Sequence, residues 1–217
     1  MSITTNRVSL VAWAGALALA WMIIAAGTVN AATLRRGASL GADGSNGQDT
    51  FFSGYFDFGT GSTLDNMIKL ENPTAVNGNL CAMIYVFDSR EEMGECCGCL
   101  LTPNQVRYGS VKTLIGGKWI GQLPTRGVIQ VVSALPNNGA SCAPTTNYLA
   151  TPTLDGWITH AQTISSISSL TEVPLTDNGN TDAAEGSNLV FLCGAIVGNG
   201  SGFGVCTCPT SDESGVP

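Results

Sequence analysis

The chain has 217 residues and a formal net charge of −7, yet only 12% of its residues are charged. Its basic residues form no cluster longer than Arg35-Arg36, so the electrostatic footprint for nucleic acid or an anionic lipid surface is missing. Glycine supplies 27 residues and cysteine eight, the composition of an extracellular β protein covered by small polar residues and stapled by disulfides.

At the N-terminus Arg7 precedes an apolar run over residues 10–26, and Val29-Asn30-Ala31 provides small residues at the spacing a signal peptidase reads. The expectation is a signal peptide over residues 1–31, with Gly27 a second place to cut. The alternative is an N-terminal anchor over residues 8–27, its apolar stretch a little short of the ~20 residues of a comfortable span. Residues 32–49, rich in Gly, Ala and Ser, read as a flexible lead. Residues 50–217 then form a single disulfide-bonded β domain, with no membrane partner once the signal is removed.

Short runs with strand chemistry follow, separated by turn residues. The run 50–58 carries five aromatics and reads as an edge or interface strand. In 66–73, Met67 and Lys69 share one side while Ile68 and Leu70 take the core side. Residues 80–88, LCAMIYVFD, are nearly all apolar, the mark of a central strand buried on both faces. Ser89 with Glu92 three residues on has the form of a capping box, predicting one short helical turn before the cysteines. Residues 104–115, 127–135 and 154–164 complete the strands. The helical spacing of Leu189, Leu192, Cys193 and Ile196 predicts a C-terminal helix within 181–200, although 188–197 also reads as a buried strand. The fold class is mainly β, an antiparallel sandwich of immunoglobulin-like or jelly-roll kind.

The segment ECCGC, residues 95–99, concentrates three of the eight cysteines: Cys81, Cys96, Cys97, Cys99, Cys142, Cys193, Cys206 and Cys208. An even number in an exported chain predicts four disulfides, and spacing alone does not choose among the pairings. If residues 96–99 are extended, Cys97 and Cys99 share one face and Cys96 takes the other. At least one of Cys206 and Cys208 is expected to bond back to this cluster or to Cys193. The competing reading is a metal-binding or redox module built on Cys96–Cys99 and Cys206–Cys208. Against it, Cys97 interrupts the C-x2-C pair, and the chain has a single histidine.

Other chemistry is thinner. A hydrolase would have to use His160, which stands in no nucleophile motif. Glu91, Glu92 and Glu95 read as charge on one solvated turn. The loops 43–49 and 177–182 resemble calcium loops in composition but miss the spacing. Asn199-Gly200-Ser201 is a glycosylation sequon, and the Gly-rich 198–204 follows a helix rather than opening one, unlike a phosphate cradle. No catalytic residue, cofactor or metal ligand is assigned.

In residues 77–104 and 192–208 the chain resembles a family of uncharacterised secreted bacterial proteins rich in cysteine. The shared features are Cys-x-x-Ile-Tyr-Val-Phe-Asp, Glu-Cys-Cys-x-Cys and Asn-Gly-Ser-Gly-x-Gly-x-Cys, over about a quarter of the mature chain. Leu100-Leu101 and Gly186-Ser187 depart from the family pattern. The resemblance implies secretion, the fold and disulfides, and carries no activity. The expected role is a non-enzymatic secreted or cell-surface protein for structure, adhesion or assembly.

Overall fold

The computed structural model describes residues 50–59, 65–73, 78–146, 148–151, 154–164, 167–177, 183–198 and 201–210. The expected signal or anchor, the lead, the 43–49 loop, all but the first residue of 177–182 and Asn199 of the sequon lie outside the described residues.

In chain order the elements are β1 (Phe51–Asp57), β2 (Met67–Glu71), β3 (Leu80–Asp88), β4 (Met93–Leu101), β5 (Val106–Ser110), α1 (Val111–Ile115), β6 (Arg126–Ala134), β7 (Asp155–Ile164), β8 (Ile167–Pro174), β9 (Thr176–Asp177) and α2 (Ala183–Val197). The strands form two antiparallel sheets, ordered β4-β3-β6-β1-β9 and β5-β2-β7-β8. The predicted antiparallel sandwich is the fold.

Strand β3 explains its own composition. Ala82, Ile84 and Val86 point into the core between the sheets, beside Phe56, Ile68, Leu70, Ile129 and Ile158. Cys81, Met83 and Tyr85 point the other way, into a second core that includes Leu189 and Cys193 of α2. A strand covered on both faces has no polar side to alternate with. In β2, Ile68 and Leu70 are fully buried, as their spacing predicts.

Helix α2 takes the helical reading of 188–197. Its contact stripe is Leu189, Cys193 and Val197, at i, i+4 and i+8; Leu192, placed on that stripe by the sequence, is 40% exposed. Gly186 and Gly194 each cost this helix about 1 kcal/mol against alanine. Two apolar side chains worth ~1.5–3 kcal/mol apiece leave little surplus for holding it. The covalent bond from Cys193 to β4 therefore decides where α2 sits.

Two local readings change. Residues 89–92 form a hairpin turn between β3 and β4, not a helical turn. The Asp88 carboxylate accepts from the backbone N–H of Arg90 (2.8 Å) and Glu92 (3.0 Å), and Glu91 adopts a positive φ of 66°. Pairing of the two strands on either side outweighs one turn of helix. The short helix is α1, inside what reads as the strand 104–115. β2 begins at Met67, opposite Ser110, so there is no β2 partner past that point. The Ser110 hydroxyl then accepts from Thr113 N (3.0 Å) as an N-cap, and the helix turns Val111, Leu114 and Ile115 into the core. Strands β8 and β9 carry no sequence signal of their own. Their Ser- and Thr-rich residues become strand by pairing with β7 and β1.

Gly98 of ECCGC is a packing requirement. A Cβ there would lie 2.3 Å from the Cys142 carbonyl oxygen, whereas one at Gly194 on α2 would meet nothing within 4 Å. Gly98→Ala is expected to lower stability by ~1–3 kcal/mol and Gly194→Ala to raise it by ~0.5–1 kcal/mol. Denaturant unfolding of the two variants beside the parent measures both signs.

Candidate functional site

The cysteines converge on β4. Neighbouring residues in this strand face opposite layers. Cys96 bonds outward to Cys193 on α2, while Cys97 and Cys99 bond to Cys206 and Cys208 in the core between the sheets. Cys81 on the adjacent strand β3 bonds to Cys142. Cα–Cα distances run from 5.2 to 5.8 Å, within the normal span of a disulfide, and no described cysteine is free. Both Cys206 and Cys208 return to the cluster, as expected of at least one. The two bonds from β4 to the C-terminal segment each close 109 residues. Loops of that length correspond to on the order of 4–5 kcal/mol per bond taken singly, in the chain-entropy account.

The C-terminal segment carrying these cysteines works as a strap. Cys96 N donates to Gly204 O (2.9 Å) and Cys206 N donates back to Cys96 O (3.2 Å), a parallel bridge on the outer edge of β4. Thr207 N reaches Leu114 O of α1, and Tyr108 N of β5 reaches Thr210 O (3.0 Å). Arg107 on β5 donates from Nε to Leu100 O (2.7 Å) and from a terminal guanidinium nitrogen to Pro209 O (2.8 Å). One segment thus covers an edge of each sheet.

Glu95 departs most from its sequence reading. Glu91 and Glu92 are exposed as expected, but Glu95 is 0% exposed. Pairing shifts from Val86–Glu95 to Phe87–Met93, leaving Gly94 as the extra residue of a bulge that Trp119 packs against. One carboxyl oxygen, Oε1, accepts from Lys118 N (3.1 Å), and Oε2 is buried without a partner among the described residues. Burial raises its pKa to about 7, against the smaller opposing effects of the Lys118 N–H and the Lys118 charge. A protonated carboxyl suits a site with one donor and no paired cation. Lys118 O in turn accepts from Gly204 N (2.7 Å), so Glu95 and the strap hold the same residue from its two sides.

The sulfurs of Cys97, Cys99 and Cys208 lie within 4.8 Å of one another. Each is bonded to a sulfur, and a disulfide offers no thiolate, the species that ligates zinc or attacks another disulfide. His160 is half-buried on β7, its ring centroid 6.1 Å from that of Tyr55, and burial lowers its pKa. The nearby carboxylate of Asp57 accepts from Tyr55 Oη (2.9 Å), and no hydrogen bond joins His160 to a carboxylate or hydroxyl among the described residues. A second acidic pair went unread in the sequence. Glu71 and Asp155 stand opposite each other across β2 and β7, and burial first, then the Glu71 charge, raises the pKa of Asp155. Only the strand register exposes this pair.

No protein-family model and no curated protein matches the chain. The crystal structure of Thermotoga maritima 1070 is similar at a TM-score of 0.39 and 11% identity, over 63% of this chain and 100% of that one.

Accessibility orders the disulfides: Cys208 and Cys142 are half-buried, whereas both sulfurs of Cys96–Cys193 and Cys97–Cys206 are buried. Under mild reduction of the native protein, Cys99–Cys208 and Cys81–Cys142 should open first, as read by differential alkylation and peptide mapping. For Glu95 the native state binds the proton more tightly than the unfolded chain. The stabilisation is complete below about pH 4.5 and is lost as pH rises through about 7, by on the order of 3 kcal/mol. Unfolding free energies from pH 4 to 9 should show this fall in the parent and not in Glu95→Gln.

Proposed function

We propose that the chain is a secreted or cell-surface protein, non-enzymatic, serving structure, adhesion or assembly. The observation that carries this reading is the use of every cysteine in a cross-link, with three of the four bonds converging on one strand. Disulfides persist in oxidising compartments and are rare where thioredoxin and glutathione keep thiols reduced. The apolar N-terminal run and its small-residue site supply an export route consistent with that pairing. A composition low in charge and a lone histidine with no bonded carboxylate or hydroxyl among the described residues favour a scaffold over a catalyst. No described helix is long and apolar enough to cross a membrane.

Fractionation of producing cells, with mass determination of the purified chain, tests the reading. The expected species lies outside the cytoplasm, begins at Ala32 and has no titratable thiol before denaturation. A cytoplasmic chain with free thiols and Met1 in place would overturn it. Bound zinc in stoichiometric amount on the freshly isolated protein would instead favour a metal module at Cys96–Cys99 and Cys206–Cys208.

A further inference from the structure

Four strands end the two sheets, and they are not equally protected. β4 and β5 are covered by the C-terminal strap, and β9 is two residues long. β8 has eight residues and is terminal in its sheet. No backbone group of β8 pairs with any described strand other than β7. Moreover, β2 starts at Met67 opposite Thr159, while β7 continues to Ile164. From His160 to Ile164, β7 is paired among the described residues only with β8, through His160–Thr171 to Ile164–Ile167. The hairpin runs past β2 as a two-stranded arm, an arrangement only marginally stable alone in water.

Terminal strands normally carry lysine, proline, a bulge or an inward charge against strand addition. The β7–β8 register runs without a bulge, β8 contains no Lys or Arg, and its one proline, Pro174, is its last residue, four positions beyond Leu170. Ser169, Leu170, Thr171 and Glu172 are exposed, Leu170 at 67%. We infer that β8 is a strand-pairing edge for a second copy of this chain, joined antiparallel about Leu170 to form one continuous sheet across a two-fold axis. This deepens the assembly part of the proposed function and rests on it.

The sequence of the edge favours its own copy as the partner. Pairing centred on Leu170 sets Leu170 against Leu170, Ser169 against Thr171 and position 168 against Glu172. The single charge of the strand therefore never meets its equivalent, a clash that would oppose pairing. Because the opposite end of that sheet is closed by the strap, the contact is isologous and closes at two copies rather than growing into a filament. A contact of one short strand is small, so association is reversible and concentration-dependent.

Sedimentation equilibrium of the oxidised protein is the test, with thermal midpoint and thiol count as checks that each variant is folded. The parent should show a monomer–dimer equilibrium. Leu170→Lys, at an exposed position, should weaken it by about tenfold or more. Ser169→Lys with Thr171→Glu should tighten it, since unlike charges meet across the axis. Ser169→Lys with Thr171→Lys should abolish it. A parent that stays monomeric at its highest soluble concentration would overturn the inference, as would a dimer indifferent to all three variants or a complex formed only with a different protein. None of these outcomes alters where the chain is found or whether its cysteines are paired, so a failure here is separable from a failure of the export reading.

Discussion

A β-strand sends neighbouring side chains to opposite faces, and in this chain that rule is made covalent at β4. Cys96 holds the helical layer, while Cys97 and Cys99, one step and three steps on, hold the C-terminal strap in the other core. Gly98 lies between them because the Cys142 carbonyl passes where a side chain would stand. With Cys81–Cys142 on the adjacent strand, helix α2, the C-terminal strap and the connection between β6 and β7 are each tied to β3 or β4. A helix weakened by two glycines and a C-terminal segment with no regular secondary structure are thereby kept in place.

The polar groups inside the sandwich serve the same purpose at lower cost. Asn66 and Asn72 flank β2 at its two ends, and both are buried. Asn66 donates to Thr159 O (2.9 Å) and accepts from Asp57 N (3.0 Å), linking β7 and β1. Asn72 donates to Gly78 O (2.9 Å) and Leu101 O (3.2 Å), binding the connector before β3 to the end of β4. These amides meet buried partners that would otherwise be stranded. Among the described residues Glu95 is one exception, a carboxyl with one of its two oxygens unmatched, and the buried hydroxyls of Ser133 and Tyr148 are the others.

Among the described residues, the C-terminal strap meets the β4 and β5 edges of the two sheets, while β8 pairs on one side only. The strap that the disulfides hold also bridges β4 at Cys96 and β5 at Tyr108, which obstructs those edges against other strands. The contrast with β8 is the observation on which the inferred self-pairing rests.

The features legible in the amino-acid order alone are local and periodic. The unbroken apolar run of β3, the alternation of β2, the i, i+4 spacing of α2 and the opposed faces of Cys96 and Cys97 follow from side-chain period alone. Two local signals give way to strand pairing or to its end. Ser89 and Glu92 spell a capping box, but the pairing of β3 with β4 made them a hairpin turn. Val111 to Ile115 look like strand, but the absence of further β2 left them to an N-capped helix. The tertiary structure alone decided which sulfur meets which, that Glu95 is buried beneath the chain at Lys118, and that β8 is left at an edge. Each of these depends on contacts between residues far apart in sequence, and the preferences of a short window of residues carry no information about them.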